Sequence, residues 1–231
     1  MVRLVAFFAV AWMLAVVLGQ FPIIGPFFRA TGIFGVWITA ILLSWLLTHY
    51  GNRAYVVQRG RAELHRLESV DSPHNHGKTG SLLLSQGRPG KAIPHLERAV
   101  AGEQEVVEWR YRLGSALLRK RRHGEAADQL RICSDMEEEH AYGAVQMRLA
   151  EALLGDAKPD EALAALDTRD RNHGQSPESA YRRGLTIKAL GRRGEAKESL
   201  AEVAKLARSV AKYQRRAANV WVLRAWLAGL A

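Results

Sequence analysis

Residues 112–130 read RLGSALLRKRRHGEAADQL. Gly114 is followed after three residues by Leu117, after twelve by Ala126 and after sixteen by Leu130. Three other stretches share this grammar: KTGSLLLSQGRPGKAIPHL at 78–96, RLAEALLGDAKPDEALAAL at 148–166 and RRGLTIKALGRRGEAKESL at 182–200. The small residues are Gly80, Gly114, Ala150 and Gly184, spaced 34, 36 and 34 residues apart. Leu83, Leu117, Leu153 and Ile187 follow them; then come Ala92, Ala126, Ala162 and Ala196, and finally Leu96, Leu130, Leu166 and Leu200. A pattern kept at every one of these places in four copies is an internal repeat.

Residues three and four apart share one face of a helix. Each copy therefore predicts two short antiparallel helices. The small residue of the first lets the second approach closely, and the second answers with its alanine. The leucines are expected to fill the space between copies. Gly87 and Gly191 fall in the turns inside copies one and four, where a left-handed residue ends a helix; Arg121 and Ala157 hold the matching places in copies two and three. The extra two residues before copy three fall near EEEHAYGA, a longer connection. One hairpin cannot bury its own apolar face, so neighbours stack into a solenoid.

A period of 34 residues built this way resembles the tetratricopeptide repeat family, over about residues 73–210. The resemblance implies an all-α solenoid of four helix pairs that binds a protein segment in a concave groove. The chain departs from the family pattern in two ways. The aromatic residue early in each first helix is missing or displaced, with Trp109 and Tyr181 nearby, and the proline between repeats survives only as Pro73 and Pro177. The family's Lys and Asn clamp for a C-terminal carboxylate is not reproduced; Gly77 and Ser81 stand where it would begin.

Residues 1–48 hold no acid and two bases, Arg3 and Arg29, whereas the rest of the chain holds 31 basic and 23 acidic residues. Leu4 to Gly19 is apolar or glycine throughout, and between Ile33 and Leu47 only Thr39 and Ser44 are polar. With their flanks, both stretches approach the roughly 20 residues that cross a bilayer. Pro22, Gly25, Pro26 and Gly32 break the chain between them. The expectation is a transmembrane hairpin over 1–48; a cleaved signal peptide at 1–19 and a buried soluble hairpin stay open as alternatives. Arg53, Arg59, Arg61 and Arg66 after the second stretch place both ends in the cytoplasm by the positive-inside rule. The layout is thus that of a two-span bacterial inner-membrane protein whose repeats face the cytoplasm, in contact with the lipid bilayer.

Residues 49–72 read as a juxtamembrane linker helix broken at DSPHN, with Ser72 and Asn75 as candidate N-caps. Residues 211–231 read as a capping helix. A terminal helix should turn a polar face outward, yet VWVLRAWLAGLA is apolar on nearly every side. Trp221 and Trp226 therefore either seal the last repeat or form a docking surface.

No nucleotide-binding, hydrolase or metalloprotease motif occurs, so the sequence gives no ground for an enzyme, a cofactor or a small-molecule substrate. His74 and His76 lack a third ligand at metal-site spacing. Cys133, the one cysteine, reads as small packing filler. RKRRHGE, from Arg119 to Glu125, reads as a solvated turn, with nucleic acid or acidic lipid as the alternative ligand. The inner face falls to residues three before, one after and four after each small residue: Gly77, Ser81 and Leu84; Tyr111, Ser115 and Leu118; Met147, Glu151 and Leu154; Tyr181, Leu185 and Lys188. Two residues before each small residue stands a base: Lys78, Arg112, Arg148 and Arg182. A cationic rim beside an apolar strip suits a protein partner with an acidic segment, although the same bases also make a soluble helix edge. The expected function is a membrane-anchored scaffold. Two alternatives remain: an accessory subunit of a larger membrane complex docking through its Trp-rich C-terminal helix, and, third, a binder of anionic lipid or nucleic acid.

Overall fold

The computed structural model describes residues 9, 13, 16, 17, 20, 38, 41, 42, 44–46, 63–67, 69–137 and 140–230. The chain forms two units, residues 1–65 and 66–231. The hairpin expected over 1–48 lies almost wholly outside the described residues; its described positions include Met13, Val16, Ile41 and Trp45, helical with exposed side chains. Among the described residues no helix is long and apolar enough to cross a membrane. Of the linker helix, residues 63–67 are described and helical.

From residue 73 onward the described chain is all helix and turn. Four hairpins follow one another: α1 (Pro73–Ser85) with α2 (Pro89–Gly102), α3 (Val107–Arg119) with α4 (His123–Met136), α5 (Ala144–Gly155) with α6 (Pro159–His173), and α7 (Pro177–Ala189) with α8 (Arg193–Ser209). A single 3₁₀ turn, Lys212–Gln214, leads into α9 (Arg215–Leu230). Proline opens α1, α2, α6 and α7, where its missing N–H removes no helical bond. Ser72 caps α1 by accepting from the Asn75 amide at 3.2 Å, so of the two expected caps Ser72 holds the place and Asn75 donates to it. Ser176 and Ser179 form a capping box on α7.

The closing leucine of copies one, two and four packs inside its own hairpin. A Cβ placed on Gly80 would stand 2.5 Å from Leu96 Cγ, one on Gly114 2.6 Å from Leu130 Cγ, and one on Gly184 2.7 Å from Leu200 Cγ. This corrects the expectation that the leucines fill the space between copies: these three lie over the bare backbone of the helix that precedes them. Leu96, Leu130 and Leu166 are fully buried, as are Ala92, Ala126 and Ala162. Burying a leucine side chain contributes about 1.5–3 kcal/mol, and here it occurs once per hairpin.

Each turn closes the same way. Gly87, Arg121, Ala157 and Gly191 all take a positive φ, at 74°, 59°, 58° and 79°. The amides of Arg88, Arg122, Lys158 and Arg192 then donate back to the carbonyls of Leu83, Leu117, Leu153 and Ile187, at 2.9, 3.0, 2.9 and 3.2 Å. These are Schellman closures, and their acceptors are the apolar residues that follow each small one. The turn geometry is thus held in all four copies, by glycine in two and against steric cost in two. The connection before α5, longer by two residues, contains Ala141, Tyr142 and Gly143, all left-handed, and leaves Tyr142 90% exposed.

At the end of the array α9 packs on α8 and α7. The ring of Trp221 meets that of Tyr181 at 5.5 Å. Trp109 makes the equivalent contact at the first junction of the array, lying over Gly77, where an added Cβ would come within 2.5 Å of the indole. Gly77 and Tyr181 each stand three residues before their small residue, and Trp109 stands five before Gly114. Trp221 in the role of Trp109 puts Trp226 where the earlier repeats carry Gly or Ala. The 34-residue period would have put Ala218 there, so α9 is slid by two turns relative to the sequence repeat. Ala225, beside Trp226, is buried against α7 and α8.

Three measurements check these contacts. Gly114→Ala forces a methyl onto Leu130 and is expected to destabilise the fold by about 1–3 kcal/mol, read from urea unfolding. Arg121→Gly and Ala157→Gly relieve left-handed strain and should each stabilise by about 1 kcal/mol in the same assay. Burial, with smaller contributions from Glu137 and Glu108, raises the Cys133 thiol from 9.0 to about 11. The folded state therefore keeps this proton where the unfolded chain loses it. Stability contributed by the neutral thiol is full below pH 9 and falls as pH rises towards 11; Cys133→Ala should flatten that part of the stability profile.

Candidate protein-binding groove

The first helices α1, α3, α5 and α7 lie in succession, each touching the next but one in sequence, and α9 continues the row against α7. Their inner positions form a strip, but not an open one along its whole length. At the start Gly77 is buried beneath Trp109, whose indole donates to Glu103 at 2.7 Å. Leu84, Leu118 and Met147 are buried in the walls. Tyr111, Ser115, Glu151, Leu154, Tyr181, Leu185 and Lys188 are half-buried. Tyr111 sets its ring edge-on to His140 at 5.7 Å.

Two depressions open on this row. One, of about 230 Å³, is lined by Tyr111, Tyr142, Met147, Arg148, Arg169 and Glu178 among others. The second, of about 340 Å³, is lined by Glu151, Leu154, Tyr181, Arg182, Leu185, Trp221 and Arg224 among others. Of the inner residues named from sequence, Tyr111, Met147 and Arg148 gather at the first and Glu151, Tyr181 and Arg182 at the second.

The bases behave differently from an open cationic rim. Arg112 donates to Glu108 at 2.5 Å. Glu151 lies 3.0 Å from both Arg148 and Arg182, and Arg182 also donates to Glu178. The result is a charge relay, Arg148–Glu151–Arg182–Glu178, that spans α5 and α7 between the two depressions. Burial works against the Arg148 charge, but the Glu151 carboxylate and the Tyr111 hydroxyl outweigh it and raise its pKa. Arg182 retains only 14% side-chain exposure and lies 5.8 Å from the Trp221 ring, with Arg224 at 4.7 Å. Lys188 donates to the Ala228 carbonyl at 3.0 Å, capping the end of α9. Lys78 is exposed at the far end of the row. Three of the four bases are therefore neutralised within the chain, and the floor of the strip is apolar and aromatic with a balanced charge network.

Trp221 and Trp226 part company. Trp221 is half-buried on Tyr181, while Trp226 is 62% exposed. His74 and His76 also face different partners: His74 lies edge-on to Trp109, and His76 bonds Asp71 at 2.7 Å and His95 at 3.0 Å. Among the described residues no three metal-ligating side chains cluster.

Residues that sequence reasoning passed over are Glu108, Glu178, Tyr142, Arg169 and Arg224. The first two carry a readable signal, since each lies four residues before its arginine on a helix. Arg169, Tyr142 and Arg224 reach the strip from α6, from the expanded loop and from α9, and no spacing within a repeat announces them.

Residues 78–132 match the model of the tetratricopeptide repeat family. No curated protein matches the chain. Among solved structures, MamA of MSR-1 is 16% identical, with a TM-score of 0.59 over 71% of this chain and 99% of the other. MamA from Desulfovibrio magneticus RS-1 is 16% identical, with a TM-score of 0.54 over 68% and 94%. A Podosopora anserina putative kinesin light chain with TPR-like repeats is 19% identical, with a TM-score of 0.58 over 74% and 93%. At these identities the likeness is one of fold.

Proposed function

We propose that this chain, whose body is built of tetratricopeptide repeats, is a scaffold that holds a segment of a partner protein across the row of first helices. One observation carries the reading. Two neighbouring depressions, lined by Tyr111, Tyr142 and Met147 and by Tyr181 and Trp221, lie on one side of the array, separated by a self-neutralised charge relay. Tyr, Trp and Met recur at the centres of protein interfaces because they bury much area at little entropic cost. With Arg112, Arg148 and Arg182 already paired, the partner segment enters by apolar side chains, and Arg224 supplies the cation for an acidic residue beside Trp221. The apolar head over 1–48, followed by the linker over 49–72, is proposed to hold this scaffold at the inner membrane with the repeats over 73–210 in the cytoplasm. Its support is compositional, and tethering would let a modest affinity suffice.

A photo-crosslinking residue at position 142 or 185 of the full chain, expressed in its own cells, tests the reading. One discrete protein adduct is expected. It should weaken about tenfold on Tyr142→Ala combined with Arg224→Glu, two exposed changes that leave the helices packed. Absence of any adduct, or an adduct indifferent to both changes, overturns the reading.

A further inference from the structure

The four hairpins share a rule that the last helix breaks. α2 covers α1, α4 covers α3, α6 covers α5 and α8 covers α7. α9 is a fifth first helix by its contacts, and among the described residues no helix covers its corresponding face. Where a second helix would lie there is an open groove of about 340 Å³ between α8 and α9, walled by Leu200, Ala201, Ala204, Val222, Ala225 and Trp226. Leu223 and Leu227, at 58% and 53% exposure, extend the apolar surface beyond Trp226.

Its charged edges carry one sign. Lys197 lines the groove. Arg193 and Arg208, four residues before Lys197 and four after Ala204, share that face of α8 and are exposed. Arg215 precedes Trp226 by three helical turns on the same face of α9. The three charged residues of α9 are all arginines.

We propose that this groove receives an acidic amphipathic helix from a partner protein, which docks as the second helix of a fifth hairpin. The repeat geometry fixes the occupant as a helix, because that is what fills the same slot four times over. The charges fix it as acidic. They also disfavour a second copy of this chain, whose α9 would bring arginine against arginine. The size relation is inverted with respect to the other hairpins: Trp226 occupies the place of Gly or Ala, so the visiting helix offers alanine or glycine opposite it, with Asp or Glu towards Lys197, Arg208 and Arg215. This surface shares no lining residue with the two depressions on the row of first helices and does not depend on what binds there.

The test uses the full chain and a panel of fluorescein-labelled synthetic helices of the length of α8. Each carries an alanine or glycine stripe flanked by glutamates, and binding is read by anisotropy. Saturable binding is expected. It should weaken about tenfold on Lys197→Glu with Arg208→Glu, two exposed changes, and on the order of thirtyfold on Trp226→Ala, with circular dichroism showing the helices retained. Peptides with lysine in place of glutamate should not bind. The proposal is overturned by any of three results. The first is no saturable binding across the panel, or binding indifferent to Lys197 and Arg208. The second is a dimer in sedimentation that Trp226→Ala dissolves, which puts a second copy in the slot. The third is Trp226-dependent capture by phosphatidylglycerol vesicles in place of the peptides.

Discussion

A leucine resting on a residue with little or no side chain is the contact on which the rest of the body depends. Leu96 over Gly80, Leu130 over Gly114 and Leu200 over Gly184 set how closely the two helices of a hairpin approach. That approach sets where the next hairpin must lie. The turn serves it: Gly87, Arg121, Ala157 and Gly191 twist left-handed so that the second helix starts in register with its leucine facing back. Arg121 and Ala157 accept about 1–2 kcal/mol of strain each to do so, which shows which constraint dominates. The chain tolerates a non-glycine residue in the turn, but it keeps glycine under Leu96, Leu130 and Leu200.

The groove follows from this framework. With hairpin spacing fixed, residues on successive first helices come within ion-pair reach, and Glu151 meets arginines from its own helix and from the next. A cation held between two carboxylates in a half-buried strip is a poor handle for an incoming acid. It is a good way to keep polar groups satisfied beneath an apolar ligand. In the proposed mode of binding, the neutralised relay leaves recognition to Tyr111, Met147 and Tyr181 rather than to the bases that sequence spacing brought to notice.

How much of this could be read beforehand varies with the range of the interaction. The hairpins, their period and their turns were legible, because Gly80, Ala92 and Leu96 and their counterparts lie within one copy at fixed intervals. The direction in which the leucine points was not, since spacing alone does not say which of two neighbouring helices it meets. Glu108 with Arg112 was legible as a four-residue pair; Glu151 with Arg182 joins two copies and was not. α9 was expected as a capping helix, but its two-turn slide was hidden, because the period points to Ala218 whereas the stacking of Trp221 on Tyr181 decides the register.

That slide bears on how such an array counts. Adding a repeat requires a small residue for the next leucine to rest on, and in α9 an indole stands in its place. A leucine arriving from the same chain by the usual turn would collide with Trp226 instead of settling on bare backbone. Side-chain volume at one position is therefore enough to refuse the usual second helix, as a mason's stone without a socket refuses the next. Trp226→Gly would restore the bare backbone on which such a leucine rests.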